Sequence, residues 1–467
     1  MQLTNSTATT NVNPQQQYLE NFIARYTNRT QTSKQLTQAY RSVLADRRNS
    51  MGFNKTIKEM VYPIIGKRAS GSKIWDIDSN EYVDLLMGFA VSFFGHNPPF
   101  IKEAIKERLE QGIHIGTQSD LAGEVAQLFC ELTGMERVTF SNTGTEAVMT
   151  AIRLARATTG RKKIAMFAGS YHGHFDGTLV KRQKIDSDLV VVPRFPGILP
   201  NVAQDVLVLD YGNFKSLEII KAYQHELAAV LVEPIQNERP DIQPKEFLLQ
   251  LREITQKSGT ALIFDEMITG FRLHLGGAQA WFGVKADMAT YGKIVGGGLP
   301  IGVIAGKANY MDRIDGGIWN YGDASFPQVE TTFFSGTYCK HPLAMAAAKA
   351  VLNYCKNQGN ALQEQVNQRT SQFVEKLNNY FQADGVPIQL ANCGSMFNTI
   401  PLGEASDSGE STSLSMDLIS YHLLYEGVFL IGDGGFISAA HTDEDLDYVI
   451  QAVKNTIKEL RENGLLP

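Results

Sequence analysis

The chain has 467 residues, 43% of them hydrophobic and 20% charged, with 41 glycines and a formal net charge of -6. That length implies about two or three domains around a core large enough to bury a site, and the composition is that of a soluble α/β enzyme rather than a fibre or a disordered chain. The mild acidity offers no field for nucleic acid or an anionic membrane, no apolar run reaches the ~18 residues of a membrane span, and no leader-like basic head with an apolar stretch opens the sequence. A cytoplasmic protein is expected. Cys130, Cys339, Cys355 and Cys393 make no CxxC or Cys/His metal spacing and are expected as reduced, mostly buried thiols.

In chain order, residues 1 to about 16 are Thr, Asn, Ser and Gln with almost nothing apolar, so burial cannot offset their ordering entropy and a disordered tail is expected. Spaced Leu, Ile, Phe and Tyr from Tyr18 to about Arg48 predict one or two amphipathic helices, an arm that could dock on a partner or link to a larger assembly. Alternation over Lys73 to Leu86, broken at Asp78-Ser79-Asn80, predicts a hairpin. A helix is expected from Phe100 to Glu110, after two prolines.

From about Asp120 to Pro342 helices alternate with short apolar strands: Arg137–Phe140, Lys163–Phe167, Val206–Leu209, Ala229–Val232, Ala261–Phe264 and Ile301–Ala305. Strands without polar alternation fit a largely parallel sheet covered on both faces. Helices over Leu343–Tyr354 and Asn360–Phe381 precede a smaller α+β unit.

Four local motifs carry chemistry. Ser141-Asn142-Thr143-Gly144-Thr145 joins a strand to a helical run, a small-residue turn whose free N–H groups suit a phosphate; an ordinary capped helix start reads the same residues equally well. Neither this turn nor Gly296-Gly297-Gly298 spells a dinucleotide or P-loop signature. Tyr171-His172-Gly173-His174 offers an aromatic face, with a surface loop as the plain alternative. Phe264-Asp265-Glu266 puts carboxylates at the end of a strand, where ligands bind in open α/β sheets, although either acid could simply cap the next turn. Lys293 precedes three glycines; pressed against a cofactor, its amine becomes nucleophilic, whereas an isolated lysine is ordinarily solvated. Together an acid that can pair with a protonated pyridine nitrogen, a reactive lysine and a phosphate turn point to pyridoxal 5'-phosphate (PLP).

With these motifs in order over about Gly71 to His441, the sequence resembles the class III aminotransferases of PLP fold type I, the group of ornithine aminotransferase and glutamate-1-semialdehyde aminomutase. The resemblance implies a large domain with a mostly parallel sheet covered by helices, at 101–342, and a small α+β domain from both chain ends, at 49–100 and 343–467, with 1–48 as tail and arm or linker. It implies Lys293 as the lysine that bonds the cofactor and moves the proton, and Asp265 on the ring nitrogen. Met267 and Tyr171 fall on the two ring faces, His172 lies beside the ring, and Thr143, Gly144 and Thr145 surround the phosphate. Thr337 reaches the neighbouring subunit's phosphate, which implies a homodimer. At the substrate positions Asn54 stands where the aminomutase has an arginine, and Phe89 where it has a tryptophan. That departure, with Trp319–Asp323 and Phe333–Pro342, resembles aminotransferase domains of polyketide and nonribosomal peptide synthetases. The resulting expectation is transfer of an amino group from glutamate or glutamine to a β-ketoacyl thioester on an acyl carrier protein or neighbouring synthase domain. A free-standing aminomutase, a decarboxylase or racemase on the same cofactor, and a non-catalytic PLP-fold scaffold are the rival readings.

Overall fold

The computed structural model describes residues 13–50, 53–185, 188–400 and 414–466. Its centre is a seven-stranded sheet in the spatial order Arg137–Ser141, Gly302–Gly306, Met288–Tyr291, Ala261–Asp265, Leu227–Val232, Lys163–Phe167 and Val206–Leu209. Gly302–Gly306 runs antiparallel to both its neighbours, and the remaining neighbouring pairs are parallel. All six residues of Leu227–Val232 and all five of Ala261–Asp265 are buried, which is why these strands read as unbroken apolar runs rather than as alternation. Helices such as Gly144–Thr159 and Lys245–Ser258 cover the faces through Ala147, Ala151, Leu154, Phe247 and Leu251.

Two smaller sheets flank this one. Gly66–Ser70, Lys73–Asp76 and Glu81–Asp84 form a meander, and Val428–Phe429, from the far end of the chain, pairs parallel to Glu81–Asp84. Gln389–Cys393, Met396–Ile400 and Gly434–Phe436 form an antiparallel sheet packed under helix Ala361–Ala383. A hairpin of Val180–Ile185 with Asp188–Pro193 was not expected from the sequence, although its second strand carries the apolar run Leu189-Val190-Val191-Val192.

The N-terminal arm holds two helices, Pro14–Arg29 and Gln31–Tyr40, as expected, but departs from expectation in where it starts and what it packs on. Residues 1–12 of the anticipated tail lie outside the described residues, but residues 13–16 do not belong to it: the Asn13 side chain caps a helix at Pro14–Arg29. That helix turns Leu19, Phe22 and Tyr26 onto the chain's own C-terminal part, where Phe22 stacks on His422 with ring centroids 3.7 Å apart. Its apolar face is therefore spent within the chain rather than offered to a partner. The cysteines are free, Cys355 and Cys393 buried and the other two half-buried. Among the described residues no helix is long and apolar enough to cross a membrane.

Candidate active site

The carboxyl ends of the parallel strands converge on a cavity of about 790 Å³. Strand Arg137–Ser141 delivers Asn142 to Thr145, Lys163–Phe167 leads to Tyr171 and His172, Leu227–Val232 ends on Glu233, Ala261–Asp265 on its own acid, and Met288–Tyr291 on Lys293. This placement follows from topology, since residues at the ends of neighbouring parallel strands are neighbours in space.

Asp265 is buried and held by three donors. His172 Nδ1 lies 2.8 Å from Oδ2, while the Thr290 hydroxyl (3.1 Å) and the Met267 amide (3.2 Å) donate to Oδ1. Thr290 is there because the parallel register pairs it with Asp265. Among the described residues no lysine or arginine bonds to this carboxylate, which leaves it open to a cation in the cavity. Glu266, one residue on, faces the other way and accepts from the Thr269 hydroxyl and the amides of Ala278 and Gln279. The two alternatives left open by sequence thus divide between adjacent residues: Glu266 caps a turn and Asp265 faces the site.

Lys293 has φ +45, an uncommon left-handed conformation for a lysine, between Gly292 and the glycine corner. Among the described residues its amine makes no hydrogen bond or ion pair. Burial first, and then the nearby Arg272 guanidinium, push its pKa down to about 8, against the opposing pull of Glu233 and Asp265. Burial also raises Glu233 to about 7, helped by the Asp265 charge and opposed by His172.

The turn at Thr143 is both of the things the sequence allowed. Thr143 caps helix Gly144–Thr159 by accepting from the Glu146 amide, leaving the first-turn amides of Gly144 and Thr145 facing the cavity without intrahelical partners. Space here is tight: a Cβ on Gly144 would come 2.8 Å from Met267 Sδ, and one on Gly292 would come 2.9 Å from the same atom. Met267 is thus wedged between the phosphate-type turn and the lysine loop. Gly173, at φ +82, lets the Tyr171 loop press onto Thr145, where any Cβ would overlap.

The structure therefore brings Phe89, Thr143, Gly144, Thr145, Tyr171, His172, Asp265, Met267 and Lys293 to one cavity. Asn54 and Thr337 are not among its lining residues. Asn54 turns its side chain to accept from the Thr56 amide, and Thr337 is exposed ahead of helix Pro342–Gln358. Sequence reasoning missed Glu233, Thr290 and Arg272. Glu233 carries the same strand-end signal as Asp265, but Thr290 and Arg272 carry none. A buried acid without a lysine or arginine partner among the described residues, an amine of lowered pKa and a glycine-lined turn at a helix start fit the three ends of PLP.

The class-III aminotransferase family model matches residues 55–455. The chain belongs to the class-III aminotransferase family. Members of this family use PLP, and the chain is accordingly a PLP-dependent aminotransferase. It is 33% identical over 407 residues to a glutamate-1-semialdehyde 2,1-aminomutase of Natranaerobius thermophilus, covering 85% of this chain and 91% of that one. Among solved structures it is similar to a β-phenylalanine aminotransferase from Variovorax paradoxus, at TM-score 0.79 and 28% identity, covering 97% of this chain and 99% of that one. A transaminase with PLP bound matches at TM-score 0.79 and 25% identity, covering 93% and 99%. The expected α/β fold of PLP-dependent transaminases is the observed one.

Proposed function

We propose that this class-III aminotransferase moves an amino group through Lys293, with Asp265 opposite the ring nitrogen, Thr143 to Thr145 around the phosphate, and Met267 and Tyr171 on the two ring faces. The observation that carries this reading is the convergence in one cavity of a lysine amine without a hydrogen bond or ion pair and a buried carboxylate without a lysine or arginine partner, both among the described residues. PLP supplies an electron sink for the bond broken at the substrate's amino-bearing carbon. Asp265, fixed by His172, Thr290 and the Met267 amide, presents a negative charge that keeps a ring nitrogen protonated. Lys293, neutral in half of the molecules near pH 8, can accept a proton at Nζ and return it. Thr337 is proposed to reach the phosphate site of a second copy, and the exposed Ile318, Tyr321, Phe326 and Phe333 near it supply apolar surface for such a homodimer.

Two substrate classes follow from different observations. The names of the curated relatives favour a semialdehyde isomerised without an external donor, as in the aminomutases. The cavity lining favours an acceptor whose acid is masked. Beyond Lys293 its charged residues are Glu233, Glu238 and Asp265, its apolar wall is Phe89, Ile268 and Leu299, and no arginine is among its described lining residues. A β-ketoacyl thioester aminated by glutamate or glutamine meets that wall without leaving a carboxylate unpaired. The aminomutase and transaminase names given above mention no carrier-bound substrate; the β-phenylalanine aminotransferase shows only that this fold accommodates β-amino chemistry.

One experiment separates the two. The PLP-loaded chain is given glutamate-1-semialdehyde alone, then a β-ketoacyl carrier thioester with glutamate. A β-amino thioester formed only with donor present supports the masked acid. Rapid isomerisation of the semialdehyde without donor establishes the aminomutase reading and ends the other.

A further inference from the structure

Among the described residues Arg272 is the largest fully buried side chain, 1% exposed, and no carboxylate pairs with it. Its Nε donates to the Ile268 carbonyl (3.1 Å), Nη1 to the Ser395 hydroxyl (2.9 Å) and Nη2 to the Ala90 carbonyl. The rings of Phe93 and Phe436 flank the guanidinium at 5.4 and 5.1 Å. A buried cation without a counter-charge is costly, and arginine is the side chain least able to escape that cost by losing its proton. Its pKa, lowered by burial to about 9, leaves it charged at neutral pH.

The three acceptors belong to three separate parts of the chain. Ile268 lies just past Asp265 and lines the cavity. Ser395 joins strands Gln389–Cys393 and Met396–Ile400. Ala90 closes a turn in which Met87, Gly88, Phe89 and Ala90 all have positive φ, between +47 and +74. Three of those residues are not glycine, so the turn is held against its own preference. It presents Phe89, 58% exposed, to the cavity. The charges acting on Lys293 are Arg272, Glu233 and Asp265, with His172 behind Asp265 and Glu238 elsewhere in the same lining. Both carboxylates favour the protonated lysine, and Arg272 alone among the charges opposes it.

We propose that Arg272 is a positioning residue with two separable effects: its hydrogen bonds hold the Phe89 turn at the cavity rim, and its uncompensated charge biases Lys293 Nζ to the neutral, nucleophilic form. The proposal rests on Lys293 being the reactive lysine.

The test uses the full-length chain freed of PLP, following the pH dependence of Lys293 modification by an amine-reactive reagent, residue by residue, with unfolding measured in parallel. Wild type has a midpoint near pH 8, and R272M, which removes the charge, moves it up by about one pH unit. R272K keeps the charge but not the three-way bonding, so its midpoint stays while KM for the acceptor in the PLP-loaded chain rises several-fold more than kcat falls. S395A removes one neutral acceptor and leaves the midpoint in place. Should R272M not fold, R272Q carries the same prediction. A charge-free variant that shares the wild-type midpoint overturns the electrostatic assignment, and an R272K that leaves KM unchanged overturns the positional one. A wild-type chain in which Lys293 takes up no PLP sinks the reading of the site instead, whatever the Arg272 variants do.

Discussion

The floor and the rim of the same cavity are built on opposite principles. On the floor, Asp265, Glu266 and His172 are almost fully buried, and both acids, at the end of one strand, accept three hydrogen bonds each, the one from Thr290 to Asp265 being set by the sheet register. At the rim, Phe89 and Tyr171 are 58% and 64% exposed and sit on loops, one of them in a left-handed turn clamped from behind. In the function proposed above, the rigid strand ends carry the chemistry and the loops meet the substrate. Changes to the floor groups that face the cavity, Asp265 and Lys293, should therefore abolish or slow every reaction, a change to Glu266 should cost stability instead, and changes at the rim should redistribute substrates.

The largest effect is expected for Lys293→Ala, which removes the bond to PLP and about 10²–10⁴-fold of proton-transfer catalysis with any substrate, read in single-turnover kinetics. Asp265→Asn keeps the shape and loses the charge. It should lower kcat about 10–100-fold, the size of one charged hydrogen bond, with a smaller change in KM. Glu266→Gln tests the other half of the strand-end pair: it should cost about 1–3 kcal/mol of stability by unsatisfying buried amides, seen as a lower denaturant midpoint, with kcat at saturating PLP little changed. A matching loss of kcat in that variant would erase the distinction between the two acids.

A smaller effect is expected from pH. Glu233 and Glu266 are both raised by burial from 4.5 to about 7. The folded chain therefore keeps protons that the unfolded chain has released between those values, so this contribution to stability is complete below pH 4.5 and lost as pH rises through 7. Lys293 is shifted the other way, from 10.5 to about 8, and its contribution is present above 10.5 and lost as pH falls through 8. In the chain freed of PLP, Glu233→Gln should flatten the fall in stability across the first window, measured by denaturation at several pH values. The smallest and most selective change is Phe89→Ala at the rim, about 10–200-fold in the ratio of kcat/KM between a bulky and a small acceptor, with the half-reaction of the donor little altered.

Much of the floor was legible in the sequence because its signals are one-dimensional. Buried parallel strands leave unbroken apolar runs, and an acid or lysine at the end of such a run has only the cavity or a cap to face. The core strands were placed to within about two residues for that reason. What the sequence could not show are contacts made by register and by distant loops. Thr290 is an ordinary strand threonine until the pairing of Ile263 with Met288 sets it beside Asp265. Arg272 follows an apolar turn and gives no sign that it will join Ala90 and Ser395, 182 and 123 residues away. The arm misled because its low apolar content hid how completely Leu19, Phe22 and Tyr26 are used against His422 and Leu418.

The most direct measurement is borohydride reduction of the PLP-loaded chain followed by mass mapping of the modified peptide. The account predicts the reduced cofactor on Lys293 and its loss in Lys293→Ala, while Asp265→Asn is still labelled. A chain that carries the cofactor on any other lysine, or retains none after reduction, would contradict it.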